Sequence, residues 1–339
     1  MIKIKNRRVQ NFLKNSEQLP SLPVISLKII QLTEDPDFEI KDLANIIKAD
    51  AVFTGKLLRI VNSSYFGLRR EVKSIEQAIS MLGVDSIRNL AITFSLFDVF
   101  PADHSDIYPE LFKKSLCAGI VSNFVSEIVT QEEKEELFLA STLQYLGAFF
   151  LTFMIPKTYR AILEEGRRRG LPYLFIEKAE LGITHLEIGL FMAKKWRLPK
   201  IIEQALQYRI KRDVYFFKDS AQEIISKLEI VRVGSLAAEI FFGYHRALSM
   251  ALFRQTLQNI SGQITREVAQ DLLSSVPNLM KNMYDQYGLD FTGDMSYEDI
   301  VREAEQELIQ LSYRNVRTYF EMQRMKNQLN ELEEKSPTN

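Results

Sequence analysis

From Val24 onward the apolar residues recur at the three- and four-residue steps of a helix, and nowhere do they alternate as a half-buried strand requires. Leu43, Ile46 and Ile47 fill one face of a short helix, and Phe53, Leu57, Leu58, Ile60 and Val61 fill that of the next. The 339 residues hold only 14 Gly and 10 Pro, below the usual shares of about 7% and 5%, so the punctuation of a sheet-rich fold is scarce. An all-α protein is expected.

Lys and Arg number 43 against 44 Asp and Glu, a net charge of −1. A dedicated binder of nucleic acid or of an anionic membrane surface shows a basic surplus, so neither partner is expected. The single cysteine, Cys117, excludes an internal disulfide and lies among Leu116, Ala118 and Ile120, where a buried, inert thiol is expected. The N-terminal stretch lacks the apolar core of a secretory signal. The longest apolar run, Leu146 to Ile155, is about half the length of a membrane span. These features predict a cytoplasmic protein.

Residues 1–15 are basic and polar and read as an N-terminal arm or helix. Short helices in series follow. Asp42 is placed to cap the helix through Leu43, Ile46 and Ile47, and the polar group Asn62-Ser63-Ser64 ends the next one. Ser74 and Gln77 have capping-box spacing. Further helices are predicted at about 110–129, 136–154, 156–169, 173–182, 186–196, 199–208, 221–243 and 262–287. Residues 16–100 form a first bundle, 101–245 a second, 246–295 a helical extension and 336–339 a disordered tail. In 296–335, Ala304, Leu311, Thr318, Met325 and Leu332 fall at d of a heptad, with Leu308, Asn315, Met322 and Leu329 at a. That pattern predicts a long helix forming a parallel coiled-coil homodimer, with Leu308, Leu311, Asn315, Met322, Met325, Leu329 and Leu332 in its seam. The alternative is an amphipathic helix docked on its own domain.

Chemistry-bearing motifs are missing. There is no GxxxxGK[ST], no GxGxxG after a strand, no GxSxG and no HExxH, and one cysteine cannot build a cysteine zinc site. His104, His185 and His245 stand far apart in sequence. Arg167-Arg168-Arg169 precedes Gly170, where cations complement a helix C-terminus. The helix pair over 42–61 is a poor DNA reader, since its mostly apolar second helix offers only Lys56 and Arg59 to phosphates.

The segments LPSLP, DPDFEIKDLANIIKADAVFTGKLLRIVNSSYFG and SIEQAISMLGVDSIRNLAI resemble the HDOD domain, a bacterial signalling module related to the HD and HD-GYP phosphodiesterases. Asp50, Asn62, Ser63, Tyr65, Phe66 and Gly67, with Leu57 and Leu58 between them, stand where that family shows its D…LL…NSxxFG pattern. Ile79, Leu82, Gly83 and Leu90 fit its next stretch, and the likeness runs weakly to about residue 245. The resemblance implies an N-terminal helical bundle joined to an HD-like helical bundle over residues 16–245.

In the parent HD fold, histidines and a His-Asp dyad hold divalent cations that activate water on a phosphate. By the resemblance, those positions fall on Lys114, on Gln144 and Tyr145, on His185, on Arg209 and on Ser235. Only His185 keeps a ligand type, and the dipeptide His-Asp occurs nowhere. One histidine does not build a divalent site. The resemblance therefore implies a degenerate active site, with no metal, no cofactor and no catalytic residue, in a regulator or scaffold that binds a signalling protein. Two alternatives stand beside it. One is a receptor for a nucleotide or other small anionic ligand in the former cleft, and the other is a phosphodiesterase with a rearranged site.

Overall fold

The computed structural model describes residues 5–14, 23–33, 38–63, 66–97, 99, 107–130, 134–211, 222–261, 264–286, 296–310 and 312. Among these residues every regular element is a helix and no strand is present. Tyr65 and the seam positions Leu311, Asn315, Met322, Met325, Leu329 and Leu332 lie outside the described residues.

The first bundle comprises α2 (Val24–Thr33), α3 (Ile40–Lys48), α4 (Ala51–Val61), α5 (Ile75–Leu82) and α6 (Val84–Phe97). Its helices are short because polar caps interrupt the apolar spacing. The Asp50 carboxylate accepts the Phe53 N–H at 2.9 Å, and the Ser74 hydroxyl accepts the Gln77 N–H at 3.2 Å. Asp42 is not the cap of α3. That helix begins two residues earlier, at Ile40, and Asp42 occupies its first turn, accepting the Glu39 N–H at 3.2 Å. Ile40 is exposed, so the apolar spacing begins one turn inside the helix.

Asn62 fastens the turn after α4. Its amide nitrogen donates to Leu58 O at 2.9 Å and Val72 O at 2.8 Å, and its amide oxygen accepts the Val72 N–H at 2.7 Å. Both backbone groups of Val72 are thus paired by one side chain, as a neighbouring strand would pair them. Gly67 supplies the positive φ of +57° inside that loop. Ser63 is buried, and among the described residues its hydroxyl has no partner.

The second bundle comprises α7 (Ile107–Val129), α8 (Lys134–Thr142), a 3-10 turn (Leu143–Tyr145), α9 (Leu146–Met154), α10 (Pro156–Arg169), α11 (Tyr173–Leu181), α12 (His185–Lys195), α13 (Lys200–Lys211) and α14 (Gln222–Phe242). Glycines let its central helices approach closely: a Cβ at Gly234 on α14 would lie 2.3 Å from Ala118 O on α7, and one at Gly147 on α9 would lie 1.9 Å from His185 O on α12. The stretch Lys134–Met154 has a mean hydropathy of 1.6 in its most apolar 18-residue window, enough to resemble a membrane span. Within the fold 89% of that window is buried, as befits a core segment. The N-terminal α1 (Arg7–Lys14) docks here too, with Val9 and Phe12 buried and the Phe12 ring 3.9 Å from that of Phe150.

Two further helices, α15 (Arg246–Ile260) and α16 (Arg266–Gln286), cover the second bundle. The Tyr284 hydroxyl donates to Pro109 O at 2.9 Å, and its ring packs against Phe112 at 5.5 Å. The expected helical extension is therefore part of the packed body. The terminal helix α17 spans 297–310. Ala304, a d position of the heptad pattern, is 3% exposed, buried against its own domain together with Ile300 and Tyr297. Polar contacts fix the docking: Arg246 pairs with Glu303, and Glu307 accepts the Ala247 N–H at 2.9 Å, where a carboxylate suits the start of α15. Leu308 and Ile309 remain more than half exposed, so any seam begins at Leu308.

Candidate functional site

Polar side chains with few competing charges gather where α7, α11, α12, α13 and α14 meet. Lys114 sits buried on α7, and its ammonium donates to Glu239 on α14 at 3.3 Å. The Tyr173 hydroxyl donates to the same carboxylate. Burial alone would raise the Glu239 pKa, but Lys114, the Tyr173 hydroxyl and Arg209 together hold it below the usual glutamate value. Lys114 Nζ also lies 4.9 Å from the centroid of the Tyr173 ring.

A second buried carboxylate, Glu177 on α11, orients His185. It accepts the His185 backbone N–H at 2.8 Å, the ring Nδ1–H at 2.9 Å and the Tyr159 hydroxyl at 2.9 Å. An ionised carboxylate only accepts, so in the neutral imidazole this contact puts the ring proton on Nδ1 and leaves Nε2 as an acceptor. Thr184 and Glu187 form the capping box that opens α12 and points His185 inward. Burial first, then the Glu177 charge, pushes the Tyr159 hydroxyl well above its ordinary pKa. Tyr145 is likewise kept protonated, by burial and then by Glu239. Cys117 is fully buried, and burial raises its thiol pKa beyond reach of a reactive role.

A cavity of about 250 Å³ opens onto this centre, with Lys114, Tyr145, Tyr159, Tyr173 and His185 in its wall. A second, of about 410 Å³, is lined by Arg209, Arg232, Ser235, Glu239, His245 and Leu252 among others. The two share Tyr173 and Tyr244. The six positions assigned from the resemblance are thus divided. Lys114, Tyr145 and His185 border the smaller cavity, and Arg209 and Ser235 border the larger, with the Arg209 guanidinium 6.0 Å from the Tyr145 ring. Gln144 borders neither. It is fully buried, its amide nitrogen donating to Ala140 O at 3.1 Å.

These residues do not fit a divalent metal. An ammonium, a protonated phenol and an amide turned into its own helix are not the hard anionic donors that such an ion takes. Among the described residues no cluster of three or more His, Cys, Asp and Glu side chains could hold a metal. Glu177 and Glu239 were missed from sequence. Glu239 is a lone carboxylate inside the apolar run LAAEIFF, whereas Glu177 shares LFIEKAEL with Lys178 and Glu180, and the buried Lys114 on the mostly apolar α7 is what calls for a counter-charge to meet it.

The fold and its polar centre define a helical module of the HD type. The HDOD domain family matches residues 19–211, and the chain belongs to that family. An HDOD domain protein of Geobacter sulfurreducens superposes with a TM-score of 0.65 at 20% identity, covering 82% of this chain and 97% of that one. A Shewanella amazonensis protein named "Putative phosphohydrolase" gives 0.61 at 18% identity, covering 84% and 99%. In sequence, the chain is 22% identical over 193 residues to an uncharacterized protein of Treponema pallidum, a match spanning 57% of this chain and 37% of that protein.

Proposed function

We propose that this chain is a non-enzymatic bacterial signalling regulator that acts through protein contact, on an HD-like scaffold whose metal-dependent phosphohydrolase site is lost. The observation that carries this reading is the Lys114–Glu239 ion pair. A cation already neutralised by its own carboxylate, at the position that the resemblance assigns to a metal ligand, supports a site without a metal. The packed helical body is the surface for a cytoplasmic protein partner, and the heptads beyond Leu308 join two copies.

The test uses the full chain, purified and supplied with Mn, Fe or Mg. Metal analysis should find no stoichiometric ion, and hydrolysis of bis-p-nitrophenyl phosphate should not rise above the metal-only blank. Metal-dependent turnover that disappears in a His185→Ala variant would overturn the reading. Co-purification from the native cell, with and without residues 311–339, then identifies the partner and shows whether dimerisation is needed to hold it.

A further inference from the structure

The smaller cavity has hydrogen-bonding capacity that the protein does not use. His185 is 0% and Tyr145 1% exposed, and both form part of the cavity wall. Among the described residues, His185 Nε2 and the Tyr145 hydroxyl have no hydrogen-bond partner. Leaving two such groups unmade is costly, and here they lie at one cavity. They ask for complementary groups: in the neutral ring, with Glu177 against Nδ1, Nε2 accepts from a donor, and the Tyr145 hydroxyl can give one bond to an acceptor.

Charge decides against an anion. Lys114 is neutralised by Glu239 at 3.3 Å, and Arg167 at the rim pairs with Glu110 at 3.7 Å. Arg160 and Glu164 lie one turn apart on α10 and bring one charge of each sign. A phosphate entering here would meet carboxylates as well as cations, with no surplus positive charge to replace its hydration. The rings of Tyr145, Tyr159, Tyr173, Phe242 and Tyr244 instead offer flat apolar faces.

We infer that the smaller cavity is a binding site for a small, planar, uncharged molecule carrying an N–H donor beside a carbonyl acceptor, the donor meeting His185 Nε2 and the acceptor the Tyr145 hydroxyl. The inference rests on the reading of this centre as one without a metal, since a metal would claim Nε2.

Benzamide and benzoate test it, because they share a shape and differ in charge and in the donor. The full chain is titrated with each, and with inorganic phosphate and Mn²⁺, while the His185 ring nitrogens are followed by nitrogen-15 NMR and binding is followed by calorimetry. Benzamide should shift Nε2 and bind at about millimolar strength, with benzoate and phosphate leaving the ring unmoved. Tyr145→Phe removes a hydroxyl that has no partner, so it should fold as the parent does and bind benzamide about fivefold more weakly. Tighter binding of benzoate or phosphate than of benzamide overturns the uncharged class. Failure of benzamide to move Nε2 overturns the site, whose polar groups then serve only water. Stoichiometric broadening of the His185 signal by Mn²⁺ overturns the metal-free reading, so the two failures are told apart.

Discussion

Lys114 on α7 and Glu239 on α14 stand 125 positions apart and meet at 3.3 Å, their side chains 8% and 21% exposed. Such a pair stabilises little relative to an apolar replacement, but breaking it strands a charge. Lys114→Met and Glu239→Gln should each lower unfolding free energy by about 3 kcal/mol, whereas the double variant should lose much less than the sum. Urea denaturation of the four proteins gives the coupling directly. Strict additivity would show that the pair does not act as a unit.

The depressed pKa of Glu239 fixes a pH dependence. Its carboxylate contributes stability that is fully present above the unfolded glutamate value of about 4.3, and that contribution is lost as pH falls through the lower folded value. The melting temperature should therefore fall more steeply below about pH 4.3 in the parent than in Glu239→Gln. Thermal melts between mildly acidic and strongly acidic buffers decide it, and equal slopes would remove Glu239 from the account.

Asn62 makes three hydrogen bonds to backbone although it is exposed. Asn62→Ala should cost about 1–2 kcal/mol, and Asn62→Asp, whose ionised carboxylate keeps the acceptor for Val72 N–H but faces Leu58 O and Val72 O with no proton to give, should cost at least as much near neutral pH. A variant of unchanged stability that no longer holds the partner would instead assign Asn62 to a contact surface.

The terminal helix separates two roles along its length. Deletion of residues 311–339 should convert the proposed dimer to a monomer with little loss of melting temperature, because docking by Tyr297, Ile300 and Ala304 survives. Deletion from residue 296 should also lower stability, by about 2 kcal/mol from the uncovered apolar surface. Light scattering and calorimetry on both truncations check this. A monomeric full chain would mean that the heptads beyond Leu308 pair with nothing.

Gly147 admits no side chain, with its Cβ position 1.9 Å from His185 O. Gly147→Ala must push α9 away from α12, and soluble expression should fall sharply relative to Gly55→Ala, where the added methyl has nothing within 4 Å.

The helical class, the order of helices and the Ser74 cap were legible because they depend on local spacing, as Ser74 with Gln77 shows. Long-range pairing was not. The heptad pattern put Ala304 at a d position without saying what covers it, since an apolar stripe says that a face is covered but not by what, and the covering surface lies on its own domain. Lys114 and His185 were picked out, but their partners Glu239 and Glu177 were not, because a buried carboxylate on an apolar helix is explained only by what folds against it. Gln144 shows the limit of positional carry-over: the resemblance assigns it to the centre, while its side-chain amide donates to Ala140 O and borders neither cavity.

The Asn62 fastening bears on how chains like this are sorted. One amide does the work of a missing strand for Val72, with Gly67 shaping the loop between them. The stretch that makes such a sequence recognisable is thus a clasp in the architecture, remote in role from the tyrosine-lined cavity. Substitutions that reshape the cavity wall can leave this clasp untouched, since neither Asn62 nor Val72 lines the cavity.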